Sequence, residues 1–319
     1  MSRVLVTGAS GFIGSHAIRA LAREGHEIHA VARRAPAGSD LLSWHEADLL
    51  DPRASTALMK SVRPERLLHL AWYAEHGRFW SAPENLRWVE ASLALLRAFA
   101  SVGGERAILA GTCAEYDWTA LDRSGAQAGT PPRCEETRTP MVPHTLYGAS
   151  KYAMYLVAER FAETVGIELA CGRVFFLYGP GEQSGRLVPS IARSLLAGEP
   201  VLTSDGEQIR DFMHVEDVAA GFAALLAGDV RGPVNLASGE AVAVRTVVEM
   251  LARNVGAPEL VRWGALPRGA ADPDVLLADV GRLHKEVSFS PKIGLAEGLA
   301  GTVDWWREHP EALVRAGRR

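Results

Sequence analysis

The stretch Tyr147-Gly148-Ala149-Ser150-Lys151 sets a phenol and an ammonium four residues apart. On one helix that spacing puts both on the same face, so the ammonium can sit close to the phenol. A phenol titrates near pH 10 by itself, and a fixed positive charge beside it favours phenolate, which moves it toward useful acid–base chemistry at neutral pH. Thr112, after the apolar run Ala107–Ala110, can lend a hydroxyl to a substrate oxygen. An ordinary amphipathic helix start would show the same Y-x-x-x-K spacing, so its meaning depends on the elements that precede it.

Those elements read as alternating strands and helices. Arg3–Thr7 is a short apolar and β-branched run of the kind that forms a buried parallel strand, and Phe12–Glu24 has helical periodicity. Between them, Gly8-Ala9-Ser10-Gly11-Phe12-Ile13-Gly14 lets the backbone turn tightly and brings a pyrophosphate to the amides of a helix N-terminus. Gly8, Ser10, Gly11, Phe12, Ile13 and Gly14 are therefore expected to contact a dinucleotide, although G-x-x-G-x-x-G is wider than the usual fingerprint. The second strand, Glu27–Ala32, ends in Arg33-Arg34 where an NAD-selective fold usually carries an acid. Two guanidiniums suit a ribose 2′-phosphate, which favours NADP(H); if they are solvated, and Asp40 or Asp48 approaches the adenosine, NAD(H) remains possible. Asp48 could also reach the adenine amine, with Leu49 beside it.

Arg66–Ala71 reads as a fourth strand, and its C-terminal end, Leu70 and Ala71, should face the cofactor. The aromatic segment Trp72-Tyr73-Ala74-Glu75-His76-Gly77-Arg78-Phe79-Trp80 follows directly. It suits a stacking wall for a sugar or base, with Trp72, Tyr73, His76 and Arg78 as contacts, or else a core or dimer-interface patch. Pro83–Ser101 is a long amphipathic helix.

Composition excludes several classes of function. The chain has 319 residues, 48% hydrophobic and 23% charged, enough apolar material for a large core. A net charge of -4 and pI near 6.2 give no reason to invoke nucleic acid or a membrane surface. No stretch approaches a signal peptide or a membrane span, so a cytoplasmic location is expected. Cys113, Cys134 and Cys171 lack metal or redox spacing and are expected to be reduced thiols, with no metal site.

With the segment Ala107–Tyr116 added, the chain resembles, over most of its length, an extended short-chain dehydrogenase/reductase of the nucleotide-sugar epimerase, dehydratase and reductase branch. The resemblance rests on Thr112 four residues before Tyr116, on Tyr147 and Lys151, on Arg173-Val174-Phe175-Phe176-Leu177-Tyr178-Gly179-Pro180-Gly181, and on Gly206 to Val218 with Gln208, Arg210, Asp211 and His214. It implies Thr112, Tyr147 and Lys151 as catalytic residues, and Phe175, Phe176, Arg210 and, in a looser match, Arg268 near a sugar nucleotide and its phosphates. The family's dehydratases carry Asp and Glu directly after the hydroxyl residue; here Cys113 and Ala114 stand there, so dehydration lacks its acid and base. Phe176 and Trp88 replace asparagines of the pattern.

The fold implied is α/β, a Rossmann-type doubly wound parallel sheet with a smaller, interleaved C-terminal lobe. Residues 1–178 would hold the dinucleotide, with 206–240 returning to them, and 179–319 would mainly hold the substrate. Residues 124–138 read as a mobile lid. The activity expected is NADPH-dependent reduction of a 4-keto (deoxy)sugar nucleotide, with an NAD-retaining 4-epimerase as the alternative and a non-catalytic dinucleotide sensor as a remote one. A homodimer packed through helices 83–101 and 147 onward is expected.

Overall fold

Val4, Leu5 and Val6 are fully buried in β1 (Arg3–Thr7), which is why that run is apolar on both faces. The computed structural model describes residues 2–36, 43–123, 131–269 and 272–310. β1 lies between β2 (Glu27–Ala32) and β4 (Arg66–His69); β3 (Ser43–Glu46), β5 (Arg106–Thr112), β6 (Glu168–Val174) and β7 (Gly232–Leu236) complete a seven-stranded sheet in the order β7-β6-β5-β4-β1-β2-β3. Every neighbouring pair is parallel. The strand order reverses between β1 and β4, and ligands of open α/β sheets bind at the carboxyl ends of the strands at such a point.

Helices cover both faces of this sheet. On one, α1 (Phe12–Arg23) packs Ala17, Ile18 and Leu21 against Val218, Phe222 and Leu225, which belong to a later helix, Val215–Ala227. On the other, α2 (Pro52–Val62), α3 (Glu84–Ser101) and α4 (Leu146–Val165) bury Leu58, Met59, Leu95, Phe99, Met154 and Ala158 together. After β6 the chain leaves for a second core, where helices α5 (Leu187–Leu196), α7 (Val244–Val255) and α8 (Leu295–Glu308) meet around Val188, Ile191, Val248 and Trp306. Between these visits, the helix Val215–Ala227, α6, and β7 return to the first core, so the two lobes interleave.

Several element ends differ from the expectation. β4 stops at His69, and Leu70 and Ala71 run on as loop tied to β1 by Leu70 N–H to the Thr7 carbonyl at 3.3 Å. β5 extends through Thr112, two residues past the apolar run, because Gly111 and Thr112 still pair with Arg173 and Val174 of β6. The expected lid is corrected where it can be seen. Residues 124–130 lie outside the described residues, but 131–138 is anchored: Cys134 is fully buried and exchanges backbone bonds with Leu277 and Asp279 at 2.7 and 2.9 Å. Arg133 adds bonds to the Gly239 and Ala278 carbonyls. No described helix is long and apolar enough to cross a membrane.

Candidate active site

Gly8 adopts φ +65° and its Cα faces the loop after β4: a Cβ there would lie 2.8 Å from the Ala71 amide nitrogen. At Gly14 a Cβ would fall against the Gly8 carbonyl, so α1 can approach the turn only because position 14 is glycine. Gly11 caps α1 without any side-chain hydrogen bond, and the first turn carries no acid. The leading N–H groups of α1 thus face an exposed Ser10 and Gly11 with no competing carboxylate, a cradle that fits a pyrophosphate. Arg33 and Arg34 are exposed at the end of β2. Beside them Glu46, at the end of β3 opposite Ala32, accepts the Ala35 N–H at 3.0 Å. Asp48 is exposed and caps its own turn through the Leu50 N–H at 3.1 Å, whereas Leu49 is buried in the α2–α4 core. Leu49 is therefore a packing residue.

The three residues expected to be catalytic are brought together. Thr145 caps α4 by accepting the Gly148 N–H at 3.0 Å, and Gly148 lets the helix start press on the Ala114 carbonyl, where a Cβ would clash. This sets Tyr147 against the end of β5, with its backbone N–H on the Trp80 carbonyl at 3.1 Å and its ring edge-on to Phe79 and Trp80. Thr112 caps the short helical turn Cys113–Glu115, its hydroxyl accepting the Ala114 N–H at 3.2 Å, and lies near enough to the Tyr147 phenol to act on its titration. Lys151 is buried and donates to the Ala110 carbonyl at 2.8 Å.

The electrostatics differ from the expectation. Burial pushes the Tyr147 phenol up, opposed by the nearby Thr112 hydroxyl, and burial pulls Lys151 down to about 8. The Lys151 ammonium is turned to the Ala110 carbonyl and to the face of Trp72, 4.0 Å from the ring centroid.

Trp72 is therefore no open stacking wall, since that face already carries Lys151. Tyr73 and Arg78 both turn to Glu75, at 2.7 and 3.3 Å, on the surface. His76 instead packs beside Gly185, near enough to Arg186 for that guanidinium to help burial hold its imidazole below the usual range. Phe175 is core, against Tyr116, while Phe176 stays half-buried between Phe212 and the Arg210 guanidinium. Arg210 is buried, ion-paired with Asp272 and bonded to the Pro273 carbonyl at 2.7 Å; Arg268 pairs with Asp274 at 2.7 Å. Both arginines thus already hold internal partners. Arg268 does line a cavity of about 250 Å³ with Thr203, Gln208, Val244 and Trp263, in the second lobe.

Other residues went unread. Glu115, fully buried, binds the Thr112 N–H at 2.9 Å and the Arg173 guanidinium at 2.8 Å, and Arg173 also donates to the Tyr116 hydroxyl at 3.1 Å, which donates to Asn235 at 2.7 Å. The T-x-x-E spacing of a capping box was the legible signal. Glu115 is thus spent on structure, and it does not replace the missing acid pair. His69 lies between the Thr7 hydroxyl at 2.7 Å and the Ser92 hydroxyl at 2.8 Å, with burial pulling it down to about 3. A histidine inside the apolar run Leu67–Leu70 was its signal.

A dinucleotide cradle at the switch point and a Thr-Tyr-Lys set one strand away, at the end of β5, define a short-chain dehydrogenase/reductase site on a Rossmann-type sheet. The profile of the NAD dependent epimerase/dehydratase family matches residues 4–237, and the chain belongs to that family. It is 25% identical to a UDP-glucuronate 4-epimerase of Thermodesulfobacterium geofontis over 98% of each chain. It is 28% identical to a dTDP-4-dehydro-6-deoxy-D-allose reductase of Streptomyces bikiniensis over 96% of each. Among solved structures it resembles MoeE5 in complex with UDP-glucuronic acid and NAD, at 30% identity and a TM-score of 0.81, covering 96% of this chain and 99% of that one.

Proposed function

We propose that the chain is a 4-epimerase of a nucleotide-linked sugar that keeps NAD bound. This reverses the order of the two readings the sequence left open, and the observation that carries it is the full-length likeness to a UDP-glucuronate 4-epimerase together with a Thr-Tyr-Lys site that has no spare acid pair. Gly8, Ser10, Gly11, Phe12, Ile13 and Gly14 hold the pyrophosphate, and residues 179–319 mainly hold the sugar nucleotide. The chemistry a bound nicotinamide supplies is reversible hydride storage from the sugar carbon.

Tyr147 takes the proton of the sugar hydroxyl as its carbon is oxidised and returns it when the carbon is reduced from the other face. Thr112 donates to the same oxygen and steadies it. Lys151 orients the nicotinamide ribose and, once a ligand excludes water, makes phenolate less costly at Tyr147. Dehydration is disfavoured because Cys113 and Ala114 cannot move the protons and Glu115 is tied to Arg173.

The test is incubation with UDP-glucuronate and with UDP-glucose, followed by separation of the sugar epimers, alongside a nucleotide 4-keto-6-deoxysugar with NADPH. Interconversion with no net change in nicotinamide absorbance supports the epimerase. Stoichiometric oxidation of NADPH without interconversion restores the reductase, which Arg33 and Arg34 at the end of β2 would then serve.

The same reading includes a homodimer through α3 and α4, whose outer faces expose Leu86, Leu156 and Val157. Light scattering at micromolar concentration checks it; a monomer counts against it.

A further inference from the structure

Trp72 follows the Leu70-Ala71 loop end and reaches under α4 instead of toward solvent. Its indole N–H donates to Asn85 Oδ1 at 2.8 Å, and the Asn85 amide donates to the Phe79 and Ala82 carbonyls, each at 2.8 Å. Asn85 is fully buried, so all three bonds are made away from water. Trp88 packs on the outer side, 6.2 Å between ring centroids at 30°. The ring is thus fixed in position and tilt, and the ammonium of Lys151 stands 4.0 Å from its centroid.

We propose that Trp72 is a positioning residue for Lys151, its indole, locked by Asn85, forming the seat on which the ammonium rests. The inference deepens the proposed function and rests on its assignment of Lys151 to the cofactor ribose. A lysine ammonium has three donors. One goes to the Ala110 carbonyl, and the ring face closes a second direction, which leaves one donor for a ligand hydroxyl. The turn held by Asn85 also carries the Trp80 carbonyl that accepts the Tyr147 N–H, so one buried amide sets both the lysine's seat and the tyrosine's backbone.

The remaining groups facing Lys151 do not do this work. His69 on β4 is neutral under ordinary conditions, and the Cys171 thiol on β6 is pushed up by burial and is neutral as well. Glu115 favours the charged lysine, but its carboxylate is bonded to Thr112 and Arg173. Tyr147, one turn earlier on α4, is itself pushed up by burial. The aromatic face is the contact that compensates a buried cation where no free carboxylate touches it.

Lys60, Lys151, Lys285 and Lys292 are the chain's lysines, so a protein labelled with 13C at lysine Cε gives few signals to assign. In the parent protein without ligand, the Lys151 Cε protons are expected upfield from the ring current, with a titration midpoint near 8. In Trp72→Leu the upfield shift should vanish and the midpoint should fall by roughly one pH unit, the tenfold an ordinary cation–π contact supplies. Trp72→Phe, which keeps a π-face, should hold most of both. Parent Cε protons at ordinary shifts would overturn the proposal even if no variant folds, and so would a Trp72→Leu midpoint equal to the parent's.

NADH affinity followed from pH 6 to 10 separates this from the underlying reading. An alkaline limb that moves with the lysine midpoint supports both. A limb that ignores it leaves the seat supported and removes Lys151 from the ribose.

Discussion

Two polar clusters sit side by side at the carboxyl end of β5, and they are built on opposite terms. On one side Glu115, Arg173, Tyr116 and Asn235 form a closed circuit in which the carboxylate, guanidinium, phenol and amide all find partners between 2.7 and 3.1 Å. On the other side Thr112, Tyr147 and Lys151 share few bonds: a hydroxyl beside a phenol, and an ammonium on a carbonyl and a ring face. Both are buried or nearly so, and both contain a tyrosine. The difference teaches that burial and a shifted pKa do not by themselves mark a reacting group. What separates the two is unspent hydrogen-bonding capacity facing the cleft, because a saturated network holds the fold and an unsaturated one can bind or move a proton.

The contrast breaks first at Tyr147. Tyr147→Phe is expected to lower turnover by about 10²–10⁴-fold while NADH affinity stays close to the parent's, since only the proton carrier is removed. Single-turnover hydride transfer measures it, and a loss under about tenfold would move the chemistry elsewhere. Arg173→Met tests the other cluster. It strands Glu115 as a buried charge and should cost about 3–5 kcal/mol of stability by chemical denaturation. If stability holds while turnover collapses, the closed circuit is part of the reaction and the contrast fails.

A smaller effect comes from His69, held near 3 by burial against an unfolded value of about 6.5. The unfolded chain takes up this proton first, so stability is lost as pH falls below about 6.5, at up to about 1.4 kcal/mol per unit. Glu182, pushed up to about 8 by burial, acts with the opposite sign as pH rises from its unfolded range. The readout is therefore the difference between parent and His69→Gln urea midpoints at each pH from 7 to 5. That difference should shift in the variant's favour on acidification; parallel curves would mean that His69 is charged in the fold.

The smallest effect is at the dinucleotide turn's far edge. Replacing Arg33 and Arg34 by alanine should weaken NADPH by less than about tenfold and leave NADH unchanged, because exposed charges give up little on losing a contact. A larger NADPH loss would sharpen the case for a phosphate site and for the reductase.

The local chemistry was legible before any coordinates. Gly8, Gly11 and Gly14 announce a turn that only glycine can make, and Tyr147 and Lys151 share a helix face, because both properties are settled within seven residues of chain. The strand and helix order followed from apolar runs for the same reason. The sequence could not say which partner each polar or aromatic side chain finds, since the candidates range from two residues away, as for Tyr73 and Glu75, to 62 away, as for Arg210 and Asp272. Trp72 and Tyr73 look alike in the chain, yet one lies under Lys151 and the other turns to Glu75. Phe175 and Phe176 are neighbours, yet one is core and the other meets Arg210. Arg210 and Arg268 read as phosphate ligands, and the fold sets Asp272 and Asp274 beside them. The sequence by itself determined the sheet, the turn and the placing of Tyr147 and Lys151 on one helix face, through short-range sterics and periodicity. Only the tertiary structure decided which charges are already neutralised, because in a buried site that depends on which distant groups packing has brought within about 3 Å.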